Sequence, residues 1–264
     1  MEIVILAEPA DVARAAAAQV LDLVRSHPTA VLGLATGSSP LGVYEQLALQ
    51  VGSGTLDLSA TRAFALDEYV GIPASRVESY AHVIRADVVE PLNMNPDLVR
   101  VPDGRADDLE LACRHFEADI AEAGGIDLQI LGIGANGHIG FNEPTSSFSS
   151  RTRVKTLAPR TRADNARFFS SPDEVPTHCI TQGLGTIMQA RQVVLVAQGV
   201  TKAAAVAAAI EGPVSSMCPA SILQHHPKVT FIVDRAAASE LTLTDYYQYV
   251  YDNKPEWQVI RLPD

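Results

Sequence analysis

Short apolar runs rich in β-branched residues alternate along the chain with longer, alanine-rich amphipathic stretches. This alternation predicts βα units and an α/β fold, with an open, mostly parallel, Rossmann-like sheet flanked by helices. The predicted strands are Glu2–Leu6, Ala30–Ala35, Arg62–Leu66, Asp127–Gly132, Gln192–Ala197 and Val229–Val233. The predicted helices are Pro9–Ser26, Pro40–Val51, Ser79–Val89, Asp107–Ala123 and Thr201–Glu211. Since no linker or internal repeat interrupts the pattern, we expect a single domain over residues 1–264.

Two stretches depart from this alternation. Glu90–Asp103 is rich in Pro and Asn, and apolar strand and helix patterns resume on both sides of it. It therefore predicts an irregular connection inside the domain. Leu241–Asp264 is rich in Tyr and less regular, and it predicts a terminal helix or a lid-like segment.

The composition, with 47% hydrophobic and 19% charged residues in 264, is that of an ordinary globular protein. A chain of this length buries enough surface to fold without a disulfide or a structural metal. The three widely spaced cysteines form neither a disulfide framework nor a zinc pattern, which indicates a reducing compartment. The first residues lack the features of a signal peptide, and no apolar run reaches the length of a membrane span. We therefore expect a cytoplasmic protein.

The net charge of −11 argues against binding to nucleic acid or to an anionic membrane. Its distribution is uneven, because residues 151–167 hold six bases and one acid, Asp164. This segment carries +5 and the rest of the chain −16. A basic segment in an acidic protein indicates one anion-binding place, or else bases that pair with the acidic surface.

Because ligands of parallel sheets bind beyond the carboxyl ends of the strands, the residues that follow each predicted strand carry the functional signal. Thr36-Gly37-Ser38-Ser39-Pro40 follows the second strand and opens a helix. A tight glycine turn, hydroxyl donors and the exposed amides of a helix N-terminus together favour a phosphate. An ordinary helix cap explains Ser39-Pro40 alone about as well.

Lys202 follows the fifth predicted strand, in the first turn of a predicted helix. A cation at that end of a helix is unfavourable, and a bound anion would offset the penalty. A solvated surface lysine is the competing interpretation.

Asp67 and Glu68 follow the third predicted strand. If the strand continues, adjacent side chains point to opposite faces, so only one of the two carboxylates can line a crevice. A carboxylate in that place can abstract a proton from carbon or from a hydroxyl, and it can equally cap the next turn.

A glycine-rich segment, Gly132–Pro144, follows the fourth predicted strand and contains Gly-x-Gly-x-x-Gly. A dinucleotide site is not expected, because no helix start follows the third glycine and residues 145–163 contain no acid that could bind a ribose. The remaining interpretation is a loop that brings His138 and Glu143 to a ligand, where the imidazole moves protons. A buried histidine in a structural turn is the alternative. No metal site is expected, since adjacent His225 and His226 cannot share one face.

Taken together, these motifs resemble the glucosamine-6-phosphate deaminases (isomerases), in order over nearly the whole chain. The matching segments are residues 35–40, 66–71, 137–144, 150–157, 165–169 and Lys202. The string Gly-His-Ile-Gly-Phe-Asn-Glu-Pro at 137–144 is highly specific, since the related 6-phosphogluconolactonases share a Gly-His loop but not the Phe-Asn-Glu-Pro ending. The resemblance implies conversion of glucosamine 6-phosphate and water into fructose 6-phosphate and ammonia, without metal or organic cofactor.

The resemblance also implies roles for individual residues. Asp67 matches the enolising base, and His138 the acid and base that opens the sugar ring, with Glu143 as its partner. The implied phosphate site consists of Thr36, Gly37, Ser38, Ser39, Arg167 and Lys202. Competing functions are a 6-phosphogluconolactonase-like or purely isomerising enzyme, which has no specific use for Asp67 as a carbon base, and a phosphosugar sensor without turnover.

Two features depart from some family members. Asn136 stands where some members have Asp, so an orienting amide replaces a charge and Glu143 bears more of the stabilisation of the imidazolium. Ser146, Arg153 and Lys155 match positions that bind an allosteric phosphosugar in hexameric members. The C-terminal segment aligns poorly near Gln248 and Tyr249, so neither effector binding nor the hexamer follows from the sequence. Self-association, from monomer to hexamer, is left open.

Overall fold

The computed structural model describes residues 1–260, which form two sheets. Their strands are β1 (Glu2–Leu6), β2 (Val31–Leu34), β3 (Arg62–Ala65), β4 (Asp67–Tyr69), β5 (Val99–Arg100), β6 (Leu128–Leu131), β7 (Arg153–Thr156), β8 (His178–Thr181), β9 (Gln192–Ala197) and β10 (Val229–Asp234). The larger sheet has the order β1-β10-β9-β6-β2-β3-β5, and every neighbouring pair in it is parallel. All six predicted strands and the α/β fold class are confirmed.

Helices flank this sheet on both faces. They are α1 (Pro9–Ser26), α2 (Ser38–Gly52), α3 (Tyr80–Ile84), α4 (Leu109–Glu122), α5 (Pro159–Asn165), α6 (Leu184–Ile187), α7 (Ala203–Ile210) and α8 (Thr244–Asp252). A π-helical turn, Arg85–Val89, continues α3, and 3₁₀ turns span Pro96–Leu98, Ala166–Phe168, Pro172–Glu174, Val200–Lys202, Pro219–His225 and Glu256–Gln258. Within residues 1–260, none of the helices combines the length and the apolar character needed to cross a bilayer.

The core has one layer on each face of the larger sheet. Alternate strand residues point to opposite faces, so that Ile232 packs with α1 and α2 while its neighbours Phe231 and Val233 pack with α4 and α7. This two-sided burial explains why the strands are continuous apolar runs rather than alternating ones.

The smaller sheet, β4-β8-β7, is antiparallel and was not predicted. Its strands have three or four residues, and β7 is half-exposed, so neither length nor hydrophobicity marks them. The prediction that Glu90–Asp103 is wholly irregular was wrong, because β5 pairs there with β3. In the tail, α8 confirms the predicted terminal helix, while the last four residues of Leu241–Asp264 lie outside the described part.

The order of the strands places a crevice at one position in the larger sheet. From β2 the chain adds β3 and β5 on one side, and from β6 it adds β9 and β10 on the other. The direction therefore reverses between neighbouring strands β2 and β6, and ligands of open parallel sheets bind at such a reversal, beyond the carboxyl ends of the strands. The loops that follow these two strands begin at Ala35 and Gly132.

Candidate active site

A cleft of about 480 Å³ opens at this reversal. Eight of the residues predicted from the sequence line it: Thr36, Gly37, Ser38, Ser39, Asp67, His138, Arg167 and Lys202. Asn136 and Glu143 connect to His138 without lining the cleft, and the lining also excludes Ser146, Arg153 and Lys155. The fold therefore brings the proposed acid, base and phosphate-binding residues to one place.

At one end of the cleft helix α2 begins without a side-chain cap. Helix α2 begins at Ser38, two residues before the predicted start, and its N-cap is Gly37 with a φ of 104°, a conformation that favours glycine. The helix receives no side-chain cap, so the alternative that Ser39 is an ordinary capping residue is wrong. The amides at the start of α2 are consequently available to a ligand.

Two cations complete this end of the cleft. Arg167 lies in the turn after α5, and Lys202 is the N-cap of α7. Burial and the neighbouring charge of Arg167 lower the pKa of Lys202, and Asp164 opposes this shift. Among residues 1–260, neither cation forms an ion pair with a carboxylate. An anion bound between them would relieve their repulsion.

Asp67 and Glu68 point to opposite sides of β4, as the alternation of a strand predicts. Asp67 faces the cleft and is 6% exposed. Burial, and to a smaller extent the charge of Glu68, raise its pKa to about 8. Glu68 instead binds the start of α3, where its carboxylate accepts hydrogen bonds from Ser79 Oγ at 2.7 Å and from the amide of Ala81 at 2.8 Å. Only Asp67 is placed for chemistry in the cleft.

His138 is held by a relay of side chains. Its Nδ1 lies 2.6 Å from Asn136 Oδ1, and Asn136 Nδ2 donates to Glu143 Oε2 at 2.8 Å. The Glu143 carboxylate can only accept hydrogen bonds, so the NH₂ group of Asn136 must face it and Oδ1 must face the imidazole. Since Oδ1 is an acceptor, the hydrogen of the neutral imidazole lies on Nδ1. His138 Nε2 is therefore the nitrogen that accepts a proton in the cleft.

Glu143 is 3.6 Å from His138 Nδ1, so Asn136 rather than Glu143 is the direct hydrogen-bond partner of the ring. Burial disfavours the charged carboxylate, but His138, Thr161 and Asn136 outweigh it and lower the pKa of Glu143 to about 2. Thr161, from α5, donates to the second carboxylate oxygen. The negative charge of Glu143 thus persists near the ring at neutral pH and supports an imidazolium.

Two glycines of the loop make room for these side chains. A Cβ at Gly134 would lie 2.1 Å from His138 Cε1, and the imidazole packs in that space. A Cβ at Gly140 would lie 2.9 Å from Thr181 Oγ1 and 3.7 Å from Asp67 Oδ2. The alternative of an ordinary structural turn does not account for this, since both glycines border the cleft.

The three residues of the proposed effector site lie elsewhere. Arg153 Nη1 donates to Asn142 Oδ1 at 2.8 Å and lines a second cavity, between α4 and β7. Ser146 is buried, and Lys155 lies on β7 outside that cavity. In the same cavity Glu117 accepts from the amide and the hydroxyl of Thr152, at 2.7 and 2.5 Å. The effector hypothesis stays a prediction.

Sequence reasoning missed the aromatic and amide side chains that complete the cleft. Tyr69, Tyr80, Phe141 and Asn165 all line it, and Tyr69 contacts the other three. The available signal was the spacing of Asp67 and Tyr69, since residues two apart in a strand share a face. This signal could be used only if Asp67–Tyr69 had been recognised as a strand.

The structure gives no support for a metal centre. In the described chain, residues 1–260, no group of three or more His, Cys, Asp or Glu side chains is arranged to hold a metal ion. His226 is a buried structural residue whose Nε2 lies 2.8 Å from the carbonyl oxygen of Ala190.

An α/β protein with an anion site, a buried carboxylate and an oriented imidazole at one sheet reversal belongs to a class that many families share. The particular family is shown by sequence: the chain belongs to the glucosamine-6-phosphate isomerases/6-phosphogluconolactonase family, whose model matches residues 7–232.

Relatives within this family cover more than nine tenths of the chain. The chain is 56% identical to the glucosamine-6-phosphate deaminase of Pseudarthrobacter chlorophenolicus, over 98% of this chain and 100% of that protein. It is 57% identical to that of Cutibacterium acnes, over 94% of this chain and 95% of that protein. Among solved structures, a monomeric glucosamine-6-phosphate deaminase is 40% identical with a TM-score of 0.89, covering 91% of this chain and 100% of that one. The 6-phosphogluconolactonase of Trypanosoma brucei, 20% identical with a TM-score of 0.74, covers 91% of this chain and 98% of that one and shares the fold.

Proposed function

We propose that this chain converts D-glucosamine 6-phosphate and water into D-fructose 6-phosphate and ammonia, by ring opening, aldose–ketose isomerisation and deamination. The observation that carries the proposal is the position of Asp67, a buried carboxylate with a pKa of about 8 in the same cleft as the oriented imidazole and the anion site. The relatives at 53–57% identity, all glucosamine-6-phosphate deaminases, support it.

His138 catalyses ring opening. With its hydrogen on Nδ1 held by Asn136, Nε2 takes the proton of the C1 hydroxyl and returns it to the ring oxygen as the C1–O5 bond breaks. The product of this step is the open-chain aldehyde. The charge of Glu143 stabilises the imidazolium that exists between the two proton transfers.

Asp67 catalyses the isomerisation. The carboxylate removes the proton from C2, and a C1=C2 double bond forms while a proton lost by the C2 ammonium group passes to the C1 oxygen. Asp67 then returns the C2 proton to C1. Burial leaves this carboxyl mostly protonated near pH 7 in the free cleft. A cationic amine at C2 of the substrate favours the ionised form of the Asp67 carboxyl. Binding of an amino sugar therefore activates the base.

Deamination then follows from the chemistry of the product. Proton return to C1 leaves a C2=N bond, water adds to C2, and the C–N bond breaks to release ammonia and the C2 ketone. The phosphate stays at the N-terminus of α2 with Arg167 and Lys202 throughout, which keeps the reacting carbons at the other end of the cleft.

The direct test is ammonia release from glucosamine 6-phosphate by the purified full chain without added metal, with fructose 6-phosphate measured in parallel. We expect equal amounts of both products. A chain that is inactive in this assay and active on another phosphosugar, or that binds glucosamine 6-phosphate without releasing ammonia, would refute the proposal. Repeating the assay with N-acetylglucosamine 6-phosphate tests the effector hypothesis for Ser146, Arg153 and Lys155.

The phosphate site predicts a distinct kinetic signature. Arg167→Ala and Lys202→Ala should each raise KM by about 10- to 100-fold with a smaller change in kcat, because phosphate contacts exist in both the ground state and the transition state. Arg160→Ala, an exposed base of the same segment, is the matched control and should leave both constants unchanged. Loss of kcat alone in both phosphate-site variants would contradict the assignment.

The cellular setting is part of the same proposal. We place the reaction in the catabolism of amino sugars, in the cytoplasm, with the whole chain acting as one catalytic domain. All three cysteines are free thiols, as a reducing compartment would keep them.

A further inference from the structure

Tyr69 stands beside the proposed carbon base. It is two residues after Asp67 in β4, so both side chains leave the strand on the face that lines the cleft, while Glu68 between them points away. The mechanism above gives Tyr69 no role.

The phenolic oxygen of Tyr69 is the acceptor in both of its hydrogen bonds. Asn165 Nδ2 donates to its phenolic oxygen at 3.0 Å, and the hydroxyl of Tyr80 donates to the same oxygen at 3.4 Å. Both lone pairs of the Tyr69 oxygen are thereby occupied, and its own hydrogen is the one left to donate.

No acceptor within residues 1–260 takes this hydrogen. The ring itself is fixed, because it packs against Tyr80, Phe141 and Phe169 at centroid distances of 4.9, 5.7 and 5.6 Å. Burial also raises the pKa of Tyr69 to about 12, so the phenol keeps its hydrogen at neutral pH. The hydroxyl is therefore a rigid donor at a wall of the cleft, with every other hydrogen-bonding position filled.

We propose that Tyr69 donates a hydrogen bond to a hydroxyl oxygen of the bound sugar phosphate and so contributes to recognition of the sugar. The inference rests on the proposed function. In the proposed mechanism Asp67 acts at C2, on the same face of β4 as Tyr69, and Asn165, which donates to Tyr69, lies two residues before Arg167 of the phosphate-binding end. A donor between these two ends meets the hydroxyl at C3 or C4.

Tyr69→Phe tests the donor, because it removes the hydroxyl and keeps the packed ring. We expect kcat/KM for glucosamine 6-phosphate to fall about tenfold, with no change in the inhibition constant of inorganic phosphate. Tyr247→Phe is the matched control: Tyr247, on α8, does not line the cleft and donates its hydroxyl to Glu211 at the end of α7, so its loss should not alter kcat/KM. An unchanged kcat/KM in Tyr69→Phe, or an equal weakening of inorganic phosphate, would overturn the inference.

Deoxy substrates identify the partner and separate recognition from folding. The tenfold loss in Tyr69→Phe should disappear for either the 3-deoxy or the 4-deoxy analogue, and should persist for the other. Persistence for both analogues would refute the assignment. If Tyr69→Phe does not fold, the wild-type chain alone should still bind one analogue about tenfold more weakly than the parent sugar phosphate, and equal binding of all three would refute it.

These outcomes are distinguishable from failure of the proposed function. A wild-type chain that binds glucosamine 6-phosphate in calorimetry without releasing ammonia refutes the deaminase proposal, and the binding comparisons then still decide the role of Tyr69.

Discussion

Asp67→Asn is expected to lower ammonia release from glucosamine 6-phosphate by about 10²- to 10⁴-fold, with KM nearly unchanged. The amide has the size of the carboxylate and cannot take the proton from C2. Steady-state kinetics of wild type, Asp67→Asn and the exposed control Asp57→Asn measure the effect. Survival of ammonia release within tenfold would show that Asp67 is not the carbon base.

Asp67→Asn should also stabilise the folded chain at higher pH. Burial and Glu68 raise the pKa of Asp67 from 3.8 to about 8, so between these values the folded chain keeps a proton that the unfolded chain has lost. Stability attributable to this carboxyl therefore falls as pH rises through that window, by up to about 1.4 kcal/mol per pH unit. Asp67→Asn removes this dependence.

Thermal unfolding provides the measurement. Tm of Asp67→Asn should exceed that of the wild type by several degrees at pH 8 and by almost nothing at pH 4. Asp57→Asn should show the opposite sign, because hydrogen bonds from Ser59 lower the pKa of Asp57 and its carboxylate stabilises the fold above its ordinary pKa. A Tm difference for Asp67→Asn that does not vary with pH would contradict the raised pKa.

His138→Ala is expected to reduce kcat by a similar order, about 10²- to 10⁴-fold, because no other group in the cleft is placed to move the proton from the C1 hydroxyl to the ring oxygen. The truncation leaves the space that the ring occupied beside Gly134. Imidazole added to the assay should enter this space and restore part of the activity, with a dependence on pH that follows the free base.

The control for this experiment is His178→Ala, an exposed histidine at the start of β8, which should keep full activity and show no response to imidazole. Full activity in His138→Ala would show that the sugar opens without this residue. A large loss without any imidazole rescue would favour a structural role for the ring.

The sequence predicted six of the seven strands of the larger sheet, because these six are apolar runs with buried residues. The seventh, β5, has two residues that are not buried and carries no such signal. β4 and β7 could not be recognised in this way. Asp-Glu-Tyr resembles a turn, and Arg-Val-Lys-Thr is a short, half-exposed segment with one apolar residue. What fixes these elements is their pairing with β8, a contact between distant residues that no local pattern contains.

For the site, the residues after the parallel strands were predictable, since the topology carries them to one crevice. The sequence predicted that Asn136, His138 and Glu143 act together. It could not predict which of them contacts which, because the loop geometry places Asn136 between the ring and Glu143. The donor role of Tyr69 depends on the arrangement of Tyr80 and Asn165, which approach from α3 and α5.

Between β3 and β4 only one residue, Leu66, separates a strand of the larger sheet from a strand of the smaller sheet. Asp67 therefore shares a support with β7 and with α5, which leads directly to Arg167, whereas Lys202 is anchored to the larger sheet. Any widening of the cleft by movement of the smaller sheet would withdraw the base and one phosphate ligand at the same time. A sugar phosphate in a cleft widened in this way would keep Lys202 and lose both Asp67 and Arg167.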